Sequence, residues 1–362
     1  VYKRQLIKDG IYFIIIKNRY IMKKIINIIL VLWTAVFVMT GCNEGEKTNL
    51  KEKKSATETE IPDMGRIAAG AYYVAVLDGK NKVHIAWKTD YFSYAETENT
   101  DWGGTVRLLK NEEFPIAMSE DGKIIVPGGQ SAAELWKAWQ DTMQELPADA
   151  VLGSPFLNDY ENAEEIGAWK DLYFVAGQYP KCMVGVLQDG TLCGAGIEEE
   201  LLTTVLQWKD IREAALLYGG TKIVAVDQED TVYAQGVDVT TWPHIRTIAA
   251  GKNMFFGLTE KGDVVHTAFV LDEDYSTEQM HDIVSIAVGY DCKKNQDVIY
   301  GIRKDGKVVD NLGMEIPGFE NMAEIDVTMS DAVLVGLTRN NKMIVGEGAD
   351  EHFYTLAKEY NN

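Results

Sequence analysis

The 362-residue sequence is short of proline (8 residues), cysteine (4), histidine (5) and basic side chains, with 35 Lys and Arg against 55 Asp and Glu. Each shortage excludes something. Beyond Cys42 only Cys182, Cys193 and Cys292 remain, and three cysteines cannot all pair, so the fold does not rest on disulfides. No two of His84, His244, His266, His281 and His352 stand three or four apart, as paired helical metal ligands would, so neither metal nor cofactor is expected. A formal charge of −20 gives no electrostatic footprint for phosphate backbones and sets nucleic acid aside as a partner. The Gly-Lys-Ser/Thr phosphate loop, the Gly-x-Ser-x-Gly elbow and the His-Glu-x-x-His helix are all missing, so no catalytic residue is nominated and the chain reads as a non-enzyme.

What is present begins with an asymmetry of charge. Residues 1–41 carry +6, which leaves −26 for the remainder. From Met22 two lysines precede an apolar stretch, Ile25–Met39, interrupted by Asn27 and Thr34 and shorter than the roughly 20 residues that span a bilayer. Met39-Thr40-Gly41-Cys42 then resembles the lipobox of bacterial lipoproteins. The resemblance implies that Cys42 is diacylated, becomes the first mature residue and holds the exported protein on the outer side of the cell membrane. The alternative is a transmembrane anchor with an incidental cysteine. On this reading residues 1–21 are an upstream extension from a wrongly chosen start, 22–41 a signal peptide, and 42–63, nearly devoid of apolar residues, a flexible tether.

From position 64 the sequence repeats itself. A pattern of apolar-small-small-Gly, a loop, an apolar-small-apolar triplet, a turn and a further apolar residue recurs seven times, most clearly in IAAGKNMFFGLTEKGDVV (Ile248–Val265) and IAVGYDCKKNQDVIYGIRKDGKVV (Ile286–Val309). The small residue of each triplet is Ala75, Ala117, Gly185, Ala225, Gly257, Gly301 or Gly336, at a typical spacing of about 40 residues with one long interval of 68. Four copies place Asp-Gly in the turn, a pair suited to positive φ in a tight hairpin: Asp78-Gly79, Asp121-Gly122, Asp189-Gly190 and Asp305-Gly306. An anchor, Trp102, Trp169, Trp208, Trp242 or Phe319, precedes five of the triplets, with Met280 in that role at longer spacing. Seven meanders of this length predict an all-β, seven-bladed β-propeller over 64–349, the small residues lying in strands crowded against the central channel. A sandwich or barrel with fortuitous similarity is the alternative.

The triplet, the Asp-Gly turn and the preceding Ile-Ala-Ala-Gly together resemble the regulator-of-chromosome-condensation repeat, whose members are seven-bladed propellers. The founder's action on a nuclear GTPase is not carried over to an exported acidic chain. Secreted bacterial relatives imply a protein-binding surface instead.

The long interval predicts a helical insertion about 130–167, where Ser131 and Glu134 form a capping box and Leu135, Trp139, Met143 and Leu146 recur at helical spacing. Trp136 and Trp139 read as a core stripe, with a ligand platform as the alternative. Short helices are predicted at Ile197–Trp208 and Asp350–Tyr360, the latter opening a C-terminal segment 350–362. Asp227-Gln228-Glu229-Asp230 and Asp272-Glu273-Asp274 are acidic enough for Ca²⁺ but lack the alternating-ligand loop, and read as solvated turns.

The candidate binding face comes from the loops after each apolar-small-small-Gly strand. They carry Tyr72, Tyr73, Tyr179 and Tyr290 and should emerge opposite the Asp-Gly turns as an aromatic ring around one mouth. A ring of blade-end caps is the competing reading. The predicted function is a lipid-anchored, non-enzymatic protein-binding module; the alternatives are a carbohydrate-binding or carbohydrate-cleaving propeller, with a glycan as ligand, and a structural part of a larger surface assembly.

Overall fold

The structure is a computed structural model that describes residues 65–88, 102, 104–112, 115–126, 130–131, 159–178, 181–217, 219–267 and 275–362. Its strands form seven antiparallel sheets, six of three strands and one of four. Blade one is β1–β3 (Ile67–Ala69, Tyr73–Leu77, Val83–Trp87), and blade two is β4–β7 (Thr105–Leu109, Ile116–Ser119, Ile124–Val126, Gln130–Ser131). Blade three is β8–β10 (Leu172–Gln178, Cys182–Leu187, Leu192–Ala195) and blade four β11–β13 (Ile211–Leu216, Ile223–Asp227, Val232–Gln235). Blade five is β14–β16 (Ile245–Ala250, Phe255–Thr259, Val264–His266) and blade six β17–β19 (Ile283–Asp291, Gln296–Arg303, Val308–Asp310). Blade seven is β20–β22 (Met322–Val327, Leu334–Thr338, Met343–Val345).

One turn builds every blade. The residue ending the second strand donates its N–H to the carbonyl four residues on and accepts from the N–H three residues on, as in Leu187 with Thr191 and Gly190 or Arg303 with Lys307 and Gly306. This is a turn closed by a left-handed residue, the bulged hairpin that one permissive position suffices to make. Asn81, Gly122, Gly190, Asp230, Gly262, Gly306 and Asn341 hold that position, all with positive φ. Thus the fourth copy keeps the turn without glycine, at the cost of an aspartate with φ 63°. In the first copy Asn81 rather than Gly79 takes the strained place, which is why that copy runs one residue longer.

The same turns weld each blade to its successor. The first-strand N–H groups of Leu172, Ile211, Ile245, Ile283 and Met322 donate to the carbonyls of Gly122, Gly190, Asp230, Gly262 and Gly306 in the preceding blade, at 2.8–3.2 Å. A Cβ on Gly122 would lie 2.5 Å from the nitrogen of Leu172, so here glycine is demanded by the approach of the next blade as well as by φ. Blade one meets blade two through the Leu108 N–H and the Gly65 carbonyl. Blade seven closes onto blade one through Glu324, whose carboxylate accepts the N–H groups of Gly65, Arg66 and Ile67 at 2.7, 2.9 and 3.1 Å. With every seam bonded, the sheets make a closed seven-bladed propeller.

The predicted reason for the small triplet residues needs correcting. They lie in the second strand of each blade, whereas the channel is lined by the first strands. The triplet residue is small because the anchor and a first-strand side chain rest on it. A Cβ on Gly257 would meet Trp242 and Ile245 at 3.0 Å, and one on Gly301 would meet Ile283 and Met280 at 2.9 Å.

Gln130–Ser131 pairs with Ile125–Val126 as an outer strand, and the predicted helix beyond it, with Trp136 and Trp139, lies outside the described residues. Among the described residues three helices follow: α1 (Asp159–Gly167), α2 (Glu199–Val205) and α3 (Glu351–Tyr360). The first two bury Ala163 and Ile166, or Leu201 and Val205, among the apolar residues of blades two to four. Asp350 caps α3 by accepting the N–H of His352 at 3.0 Å, and Phe353, Leu356 and Ala357 pack into the core shared by blades one and seven. Among the described residues no helix is long and apolar enough to cross a membrane.

Candidate functional site

The loops joining first to second strands emerge opposite the repeated turns and surround one mouth of the central channel, a cavity of about 290 Å³. At that mouth two of the four tyrosines named from the sequence, Tyr73 and Tyr290, are covered. Tyr73 is fully buried, its hydroxyl donating to the Asn111 carbonyl at 2.9 Å and its ring 5.7 Å from that of Trp87. Tyr290 is 3% exposed, its hydroxyl on the Asn295 amide oxygen and Lys252 4.6 Å from its ring centroid. Tyr72 is half-buried. Tyr179 and Cys42 lie outside the described residues. Tyr73 and Tyr290 therefore tie neighbouring loops together and do not present rings to a partner.

The mouth instead holds polar constellations. Lys110 stands in blade two where the first copy has Gly70, and its Nζ donates to the carbonyls of Val288 and Val327 and to the Asp326 carboxylate, the last two at 2.5 Å. In a seven-membered ring blade six is as far from blade two as any blade, so this side chain crosses the axis. Asp326, standing where the first copy has Ala69, also accepts the Ala69 N–H at 2.7 Å. Two odd residues in otherwise small or apolar columns were the signal in the sequence for this crossing.

Lys88, Ser330 and Asp331 form a second group. Lys88 Nζ lies 2.7 Å from Ser330 Oγ and 2.8 Å from Asp331 Oδ2, and Ser330 Oγ itself donates to the Ala71 carbonyl at 2.7 Å. A lysine beside a serine invites comparison with a nucleophile and its base. Here the lysine is paired with a carboxylate, and the hydroxyl proton is committed to a carbonyl. The group joins blade seven to blade one.

Carboxylates near the axis are likewise engaged. Glu213 accepts from the Thr247 hydroxyl at 2.7 Å and the Ile248 N–H at 3.3 Å, and burial pushes its carboxyl up to about 7. Burial does the same to Glu324, also to about 7, against the pull of three amides. Asp297 accepts the N–H groups of Lys252, Asn253 and Met254 at 2.7–2.9 Å, fixing the loop of blade five from blade six; burial raises its pKa.

The acidic run of blade four is consumed in its own turn. Asp227 accepts the N–H groups of Glu229 and Thr231 and the Tyr233 hydroxyl, and Asp230 pairs with Arg212 at 2.6 Å. Asp272–Asp274 lies outside the described residues, among which no cluster of metal-ligating side chains occurs. Cys182 is buried, Cys193 half-buried and Cys292 exposed; Cys193 faces Gly185, and burial pushes its thiol up to about 12.

No family model and no curated protein matches the chain. Solved structures similar to it include the CRINKLY WD40 ectodomain of the Arabidopsis thaliana receptor kinase ACR4, at 13% identity and TM-score 0.47, covering 78% of this chain and 97% of that one. The ectodomain of the Physcomitrella patens receptor kinase CR4 is similar at 13% identity and TM-score 0.46, over 78% and 72% of the two chains. Prp20p of Saccharomyces cerevisiae, the yeast RCC1, is similar at 12% identity and TM-score 0.36, over 81% and 71%. The assignment as a seven-bladed propeller rests on the chain's own sheets and seams.

Proposed function

We propose that the chain is a non-enzymatic protein-binding propeller, exported and held at the outer side of the cell membrane by lipid on Cys42. The observation that carries the binding reading is the mouth itself. Loops from all seven blades converge there on a ring with every seam hydrogen-bonded, and the axis beneath them is crossed by Lys110. Such a scaffold presents loops of fixed geometry at little entropic cost to association. The groups that resemble catalytic machinery, Lys88 with Ser330 and the carboxylates of Glu213 and Glu324, are satisfied by partners within the fold, which favours recognition over turnover.

The test has two arms. Growth with an alkyne-bearing fatty acid labels the wild-type chain and not Cys42→Ala; label retained in that variant overturns the anchor. Capture from envelope extract recovers one dominant protein whose retention is lost when exposed residues of the loop mouth are reversed in charge and kept when residues of the turn mouth are. Equal loss from both mouths, or capture of glycan without protein, overturns the binding reading.

A further inference from the structure

The third strand of a blade turns half of its backbone groups away from the second strand, and these groups need partners. In most blades the chain supplies them. In blade six the Val308 N–H donates to the Phe319 carbonyl at 3.1 Å, the Val308 carbonyl accepts the Ile316 N–H at 2.8 Å, and the Asp310 N–H reaches the Met314 carbonyl at 3.0 Å. The Asn361 side chain takes both groups of Met343 in blade seven, the Thr277 hydroxyl donates to the Val264 carbonyl in blade five, and β7 pairs with β6 in blade two. Helices α3 and α1 lie against the third strands of blades one and three.

Blade four departs from this pattern. Register makes Val232 and Ala234 the counterparts of Val308 and Asp310, so their N–H and C=O groups face outward, and none of the four bonds to a described residue. Helix α2 packs against the other face of the strand, on Tyr233. The segment that follows repeats the turn of blade six, with the Trp242 N–H on the Val239 carbonyl as the Phe319 N–H is on that of Ile316, but it does not bond to the edge. Between segment and strand lies an open groove of about 500 Å³, walled by Val232, Ala234, Val237, Val239, Trp242 and Pro243. Of the carboxylates at this groove Asp230 is paired with Arg212, whereas the exposed Asp238 accepts only from the N–H and hydroxyl of Thr240 and has no cation within ion-pair distance among the described residues.

Resting on the protein-binding reading, we infer that the edge of blade four receives a strand of the partner protein: an extended segment that pairs with Val232 and Ala234, sets apolar side chains at alternate positions into the groove and brings a lysine or arginine to Asp238. Donors and acceptors in line along one strand are complemented by a second backbone in the extended conformation. The strand β13 runs from the repeated turn to the loop mouth, where it ends at Gln235, so a partner seated at that mouth reaches the edge directly. A second copy pairing edge to edge would offer Val232–Gln235, which holds no cation, and leave Asp238 unmatched.

Fluorescein-labelled Thr-Val-Lys-Val-Thr-Val titrated into the full chain, followed by anisotropy and by amide exchange, tests the inference. Its valines share one face and one edge, so an antiparallel pairing puts their side chains in the groove and their N–H groups on β13. Saturable binding with slowed exchange at Val232 and Ala234 is expected. N-methylation of the valines, or Ala234→Pro, which removes an outward N–H and leaves the ladder to β12 intact, should lower the affinity about tenfold or more. Asp238→Asn keeps an acceptor for Thr240 and should weaken binding about two- to fivefold, less at high salt, while Asp189→Asn in blade three should not. Full affinity of the N-methylated peptide, exchange at Val232 and Ala234 that the peptide does not slow, or dimerisation of the chain that Ala234→Pro abolishes overturns the inference. Should Ala234→Pro fail to fold, the N-methylated peptide and the exchange readout decide. If the peptide fails to bind while protein capture from envelope extract succeeds, the edge inference falls and the protein-binding reading stands; if the peptide pairs with the edge while capture yields glycan alone, the protein-binding reading falls.

Discussion

Lys110 and Asp326 meet at 2.5 Å although 216 positions separate them, one from the second blade and one from the seventh. The ammonium has 29% of its side chain exposed and the carboxylate 11%, so the pair is partly dehydrated and draws its remaining bonds from backbone. Removing one partner leaves a poorly solvated charge, whereas removing both does not. Lys110→Met is expected to lower unfolding free energy by about 1–3 kcal/mol, discounted from a fully buried pair for the exposure of the lysine. Lys110→Met/Asp326→Asn should recover part of that loss in urea titrations; additive losses would show that the two charges do not interact.

Glu324 and Glu213 give the ring a pH dependence of definite sign. Each carboxyl is raised from 4.5 to about 7, chiefly by burial, so the folded chain holds these protons more tightly than the unfolded one. The associated stability is complete below about pH 4.5 and is lost as the pH rises through 7, by about 3 kcal/mol per group. Urea midpoints of the wild-type chain should fall between pH 5 and 8. Glu213→Gln/Glu324→Gln keeps an acceptor for the seam amides and should flatten that fall; an unchanged slope would assign it to other groups.

These contacts mark where the sequence is legible and where it is not. The seven triplets, the turns between second and third strands and the closing helix are local features, repeated or periodic, and the blade count follows from them. The face on which the loops emerge follows too, because a meander alternates its ends. Which strand lines the channel does not follow, since Gly257 is small for Trp242 and Ile245 and nothing in the column says what rests upon it. Nor does the fate of the tyrosines: Tyr73 and Tyr290 read as loop residues in the sequence but are tied to the Asn111 carbonyl of blade two and to Lys252 of blade five, contacts made only once the blades close. Lys110 and Asp326 are visible as anomalies in their columns, but their meeting depends on ring closure.

The packing role of the triplet glycines is testable against a glycine of the same blade design that has no such role. Gly257→Ala forces a methyl group against Trp242 and Ile245 at 3.0 Å and should cost about 1–3 kcal/mol. Gly79→Ala meets open space without a positive φ, and should leave stability unchanged or raise it by up to about 1 kcal/mol. Thermal melts of the two variants compare them directly, and equal effects would dissociate the glycine column from anchor packing.

Closure between the last and first blades depends on the C-terminal helix. Phe353 is fully buried among Val74 and Val76 of blade one and Val335, Leu337 and Met343 of blade seven. Just beyond, the Asn361 side chain accepts the Met343 N–H at 2.8 Å and donates to the Met343 carbonyl at 2.9 Å, continuing the outer edge of the sheet as a further strand would. Phe353→Ala removes the apolar plug of this seam and should cost about 3–5 kcal/mol, against about 1 kcal/mol for Asn361→Ala, which takes only the paired hydrogen bonds. Hydrogen exchange locates the effect: amides of β1 and β22 should lose protection in Phe353→Ala before those of β12 do. Uniform loss across all blades would mean that the ring opens as one cooperative unit and that α3 holds no particular seam.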